Sequence, residues 1–93
     1  MSNSNLIKKT FTIINELGLH ARPAMLLVQA ISRLECSVNI EKDGFEADAK
    51  SIMGVLTLAA EQNSQIIVRA EGPDAEKAIN AIEKLVEEKF GED

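Results

Sequence analysis

Apolar and polar residues alternate along this chain at two different periods, and the switches between them mark its elements. The run Ile7-Lys8-Lys9-Thr10-Phe11-Thr12-Ile13-Ile14 is rich in β-formers and sets Phe11 and Ile13 on one face between polar neighbours, which predicts a first strand. Ala24, Leu27, Val28, Ile31 and Leu34 then recur at spacings of three and four, predicting a helix over about residues 21–33 with one buried stripe. Period-two alternation returns in Ser37–Glu41 and in Phe45–Ala49, and the Asp43-Gly44 pair between them predicts a tight hairpin. Ser51 opens a shorter helix with Ile52, Val55, Leu56 and Ala59 on one face, ending before Glu61-Gln62-Asn63-Ser64. Gln65–Ala70 reads as a fourth strand, and Gly72-Pro73 breaks it. Asp74 then caps a last helix whose Ala78, Ile79, Ile82, Leu85 and Val86 form an apolar stripe.

The resulting order is βαββαβα, an α+β chain without an internal repeat, linker or low-complexity block. Short strands interleaved with amphipathic helices predict one antiparallel sheet, with the long helices packed on one face and the other face open to solvent. Residues 1–93 are expected to form a single domain, with residues 1–5 as a flexible N-terminal tail.

Composition narrows the function. At 93 residues the chain can build one core but no deep cleft between domains, so any chemistry belongs at the surface with a partner. A net charge of −5, no Trp or Tyr, and only Phe11, Phe45 and Phe90 as aromatics argue against nucleic acid as a partner. No apolar run reaches membrane-spanning length and the first residues lack a signal peptide's pattern, so a cytoplasmic protein without membrane insertion is expected. A single cysteine, Cys36, and a single histidine leave no Cys/His metal site, and no cofactor is expected. Glu87, Glu88, Glu92 and Asp93 read as a solubilising face and tail, and with no second apolar face a monomer is expected.

The candidate chemistry sits where the first loop becomes a helix. Pro23 is tolerated only in a first helical turn, so the helix begins close to His20 and leaves it at the N-cap end. Unpaired N–H groups and the positive end of the macrodipole favour an anion there and a neutral, nucleophilic imidazole. Arg22 adds a donor fork suited to phosphate oxygens, and Gly18 lets the approach loop turn tightly or adopt a positive φ. Together they point to phosphate binding, or to covalent carriage of a phosphoryl group on His20. Spacing alone leaves a solvated cap residue as the competing reading, because lone histidines near helix starts are usually that.

Two motifs in sequence change the balance. Gly18-Leu19-His20-Ala21-Arg22-Pro23-Ala24, followed by Lys50-Ser51-Ile52-Met53-Gly54-Val55-Leu56, resembles the histidine-containing phosphocarrier family, HPr, and the likeness runs over about residues 6–90. The resemblance implies an open-faced β-sandwich with a four-stranded antiparallel sheet in the order 1-4-2-3 and three helices on one face. It implies a carrier and not an enzyme: His20 would take a phosphoryl group on Nδ1 (the pros nitrogen) from phosphorylated enzyme I of the phosphoenolpyruvate-dependent phosphotransferase system. Enzyme IIA domains of sugar transport would receive it, with Arg22 assisting. Ser51, an ordinary N-cap by its chemistry, would also be a regulatory site for HPr kinase/phosphorylase.

A short helix cannot bury every apolar side chain it carries, so Ile52, Met53 and Leu56 are candidates for a partner surface. Met53 is the preferred contact, while Ile52 and Leu56 serve equally as core. Two alternatives remain at this stage: the nitrogen-related branch of the same chemistry, and a purely regulatory HPr-like module that takes its input at Ser51. An autonomous hydrolase lacks a second general acid or base beside His20. The segment Ala59–Ser64 departs from many relatives in having no glycine before the fourth strand, so its turn is expected to rely on Asn63, which tolerates the left-handed region.

Overall fold

The computed structural model describes residues 5–92. The chain runs β1 (Leu6–Thr12), α1 (Ala21–Ile31), β2 (Ser37–Lys42), β3 (Phe45–Asp48), α2 (Ile52–Thr57), β4 (Gln65–Glu71) and α3 (Ala75–Glu87), and closes on a 3₁₀ turn at Lys89–Gly91. Of the expected flexible tail, residues 1–4 lie outside the described residues. Asn5 is tied down, since its carbonyl accepts a hydrogen bond from the Gly72 amide at 2.9 Å.

The strands form one antiparallel sheet in the order β1-β4-β2-β3. Register explains the layering. Phe11 pairs with Ile66, Val38 with Ala70 and Ile40 with Val68, so one sheet face is continuously apolar. On this face α3 lies over β1 and β4, and α1 packs beside α3 and α2. Leu27, Ile31, Ile79 and Ile82 come down from the helices to complete the core. On the opposite face Lys8, Thr10, Asn39 and Glu46 stand in solvent, so the sandwich is open as expected. Among the described residues no helix is long and apolar enough to cross a membrane.

The hairpin between β2 and β3 is the tight one its sequence predicts. Lys42 pairs with Phe45 across a two-residue loop in which Asp43 (φ 53°) and Gly44 (φ 86°) both take positive φ, matching the twist of the flanking strands.

Several boundaries and contacts differ from the sequence reading. β1 ends at Thr12, and Ile13 bonds instead to the loop before β4, donating to Ser64 at 2.9 Å and accepting from Asn63 at 2.7 Å. Asp74 stands at the N-cap of α3 but its side chain does not cap that helix. Its Oδ2 accepts from the Glu35 amide at 2.7 Å, pinning the loop before β2, because that orphan amide lies within reach across the fold. In α2 the buried face is carried by Val55, with Leu58 just beyond it. Ile52 is exposed and Ala59 has left the helix with φ 51°, so neither belongs to that face.

Candidate functional site

His20 occupies the N-cap of α1 with extended backbone (φ −80°, ψ −168°), and its carbonyl accepts from the Ala24 amide at 3.0 Å. Pro23 lies in the first turn, where its missing N–H costs no helical bond. The imidazole makes no cap hydrogen bond and no acidic residue stands in the first turn. His20 therefore leaves the leading amides of α1 without a side-chain cap, and its own side chain is 38% exposed.

The loop that delivers His20 is held from several sides. Gly18 has φ +69°, and a Cβ there would meet the Ala60 carbonyl oxygen and approach the Glu61 Cα to 2.9 Å. Backbone, not a yielding side chain, excludes any larger residue. Leu19 is buried and its amide donates to the Ala60 carbonyl at 2.8 Å. The facing loop makes its turn as expected through Asn63, at φ 73°, and also through Ala59.

Asn15 is wholly buried beneath this loop. Its Nδ2 donates to the Gly18 carbonyl at 2.8 Å and to Glu92 Oε1 at 3.0 Å. The second oxygen of Glu92 lies 2.6 Å from His20 Nε2. Glu92 thus departs from its reading as part of a solubilising tail: its carboxylate is a member of the site. Burial opposes its ionisation, but hydrogen bonds from Asn15 and His20 and the nearby charges of His20 and Arg22 outweigh that and hold its pKa below the ordinary value.

What brings Glu92 back is the turn after α3. Lys89 (φ 56°), Phe90 (φ 53°) and Gly91 (φ 74°) take left-handed conformations in succession, and the Phe90 ring between them is buried to 1% exposure. The sequence signal for this was slight: one aromatic followed by glycine inside a charged run.

The remaining candidates are arranged around α1 and α2. Arg22 is exposed on the first turn of α1. Ser51 is the N-cap of α2, its Oγ accepting from the Gly54 amide at 3.1 Å. No hydrogen bond joins Ser51 to His20 among the described residues. Met53 is 71% exposed, Ile52 is exposed, and Leu56 is half-buried against the core. Near these elements, Leu17 on the approach loop, at 69%, and Met25 on α1 are exposed apolar residues that the sequence reading does not name. Neither lies on a periodic stripe, so spacing alone gives no signal for them. Cys36 is half-buried, and burial raises its thiol pKa, which makes it a poor nucleophile. Among the described residues no group of His, Cys, Asp and Glu side chains is placed to hold a metal ion.

Known proteins resemble this chain in sequence and in fold. The family model described as the PTS HPr component phosphorylation site matches residues 7–88. A phosphocarrier protein HPr from Treponema pallidum is 43% identical over 88 residues, which cover 95% of this chain and 100% of that protein. The crystal structure of HPr-C-His from Thermoanaerobacter tengcongensis superposes with a TM-score of 0.89 at 45% identity, over 94% of this chain and 98% of that one. HPr from Bacillus anthracis gives a TM-score of 0.83 at 42% identity, over 87% and 96% of the two chains. Motifs, topology and near full-length similarity agree, and the chain belongs to the HPr family of phosphocarrier proteins of the phosphotransferase system.

Proposed function

We propose that His20 accepts a phosphoryl group on Nδ1 from phosphorylated enzyme I and passes it to enzyme IIA domains of sugar transport, in the cytoplasm. The observation that carries this reading is the placement of His20: a surface imidazole, uncommitted to capping, set at the start of a helix whose leading amides and Arg22 suit an anion. In each transfer a nitrogen lone pair attacks phosphorus as the donor's P–N or P–O bond breaks, and the leaving atom keeps the bonding pair. The partners' active sites supply much of the positioning, so the carrier itself needs only an activated nucleophile and modest anion stabilisation. Stronger stabilisation would oppose onward transfer.

Arg22 assists by hydrogen bonding to the phosphoryl oxygens. Replacing it with alanine is expected to slow transfer with both partners roughly ten-fold, because each partner active site retains its own donors. Rapid-quench transfer assays measure this, and unchanged rates would remove Arg22 from the mechanism. Thermal unfolding should be unaltered, since the side chain is exposed.

Met53, Ile52 and Leu56 contribute the partner surface, and two further exposed apolar residues join it: Met25 on α1, which packs beside α2, and Leu17 on the approach loop. Burying a charge in that surface costs affinity. Met53→Glu is expected to weaken enzyme I binding by about 2 kcal/mol, roughly thirty-fold, by calorimetric titration. Equal affinity would exclude Met53 from the interface.

Ser51 is the proposed regulatory site. A phosphate at its position, the N-cap of α2, is compatible with the helix dipole and would change the charge of the partner surface without unfolding the helix.

Incubation with phosphoenolpyruvate and enzyme I, followed by phosphosite mapping, tests the whole reading. Phosphate on His20 supports the relay. Phosphate found only on Ser51, after incubation with ATP and HPr kinase/phosphorylase, would make the protein a regulator instead.

A further inference from the structure

The contact between His20 and Glu92 has a consequence for which ring nitrogen reacts. At 2.6 Å from Nε2, Oε2 of Glu92 is within a short, charge-assisted hydrogen bond. An ionised carboxylate has no proton to give, so the proton of this bond belongs to Nε2. In a neutral imidazole that leaves the lone pair on Nδ1.

The carboxylate is itself held in place. Its other oxygen receives the Nδ2 donor of Asn15, a wholly buried side chain that also grips the Gly18 carbonyl in the loop carrying His20. The backbone behind it is committed too: two successive non-glycine residues, Lys89 and Phe90, hold left-handed conformations that L-residues avoid. Such geometry persists only where surrounding packing determines it, and here the buried Phe90 ring does so. Asn15 and the Phe90 anchor therefore approach Glu92 from opposite ends of the chain and fix one carboxylate against one histidine.

We propose that Glu92 is a positioning residue, which fixes His20 as the Nε2–H tautomer and so presents Nδ1 as the phosphoryl acceptor. The inference rests on the relay reading of His20. When Nδ1 attacks, the N–P bond forms, the donor's bond to phosphorus breaks with its electron pair, and Nε2 keeps its proton. The phosphorylated ring then carries a positive charge, which the Glu92 carboxylate faces and stabilises. Arg22, whose charge acts on the same carboxylate, remains available to the phosphoryl oxygens.

The test begins with the unphosphorylated protein. Imidazole 15N NMR at a pH where His20 is neutral should show predominantly the Nε2–H tautomer, and Glu92→Ala should move the ring toward a mixed population. The same variant should accept phosphate from phosphorylated enzyme I about five- to ten-fold more slowly, while Glu87→Ala, at an exposed position on α3, changes neither. An unchanged tautomer ratio or an unchanged transfer rate in Glu92→Ala overturns the inference. If the parent protein takes no phosphate on His20, the relay reading fails and the transfer part of the inference fails with it. The tautomer comparison still decides whether Glu92 directs the proton.

Discussion

His20→Ala should take no acid-labile phosphate from phosphorylated enzyme I while unfolding within about 1 kcal/mol of the parent protein. The two halves of this expectation have separate physical grounds. His20 is the only histidine in the chain, and alanine offers no lone pair, so no alternative acceptor forms the same phosphoramidate. Stability is spared because the imidazole lies outside the core, makes no cap bond to α1, and is 38% exposed. Its side-chain partner among the described residues, Glu92, keeps the hydrogen bond from Asn15 when the ring is removed. Mass spectrometry under alkaline conditions and a denaturation curve measure the two halves independently. Persistent acid-labile phosphorylation of the variant would end the assignment of His20 as carrier.

A second large effect is expected far from the phosphoryl group. Phe90→Ala should destabilise the protein by about 3 kcal/mol, toward the lower end of the range for emptying a phenylalanine site. The ring is among the largest fully buried side chains, and it sits in a turn whose left-handed residues each cost on the order of 1–2 kcal/mol in an L-chain. Without the ring the turn loses its buried anchor, and its unwinding recovers part of the strain, which limits the loss. For a chain of this size, ~3 kcal/mol corresponds to a fall in Tm of roughly 15 °C. Loss of the turn should also release Glu92 from His20, so the variant is expected to share the tautomer change of Glu92→Ala. A loss below about 1 kcal/mol in urea titration would mean that Phe90 does not anchor the C-terminal segment.

The two effects separate the roles along the chain. On the proposed relay His20 is the nucleophile and contributes little stability, whereas Phe90 contributes stability and would reach the chemistry only through Glu92. A phosphocarrier must expose its reactive group to successive partners, so the rigidity that orients the group has to come from beneath it. Asn15, Gly18 and Leu19 supply that support from the approach loop, and the Phe90 turn supplies it from the other end.

Much of this was legible in the sequence because it depends on short-range causes. Two-residue and three-to-four-residue periods follow from strand and helix geometry, so the order of elements could be read from Phe11 and Ile13, from Ala24 through Ile31, and from Ala78 through Val86. Local stereochemistry made Pro23 mark a helix start, Asp43-Gly44 a two-residue hairpin, Ser51 a cap and Asn63 a left-handed turn, all as the structure has them. The sheet order was not legible in this way: alternation tells which face of a strand is apolar but not which strand lies beside it, and only the resemblance to HPr proteins supplied 1-4-2-3.

Tertiary structure decided the rest. Ile52 occupies a position whose spacing suits the core, yet the packing of α2 uses Val55 and Leu58 and leaves Ile52 in solvent. Asp74 had a local amide to cap and bonds instead to Glu35, because a distant orphan donor came within reach. Glu92 is the clearest case. Its partners, Asn15 and His20, are 77 and 72 residues away in sequence, and no period or turn rule connects them. They meet because Phe90 is buried in a core assembled from distant strands and helices, and that burial exists only once the whole chain has folded.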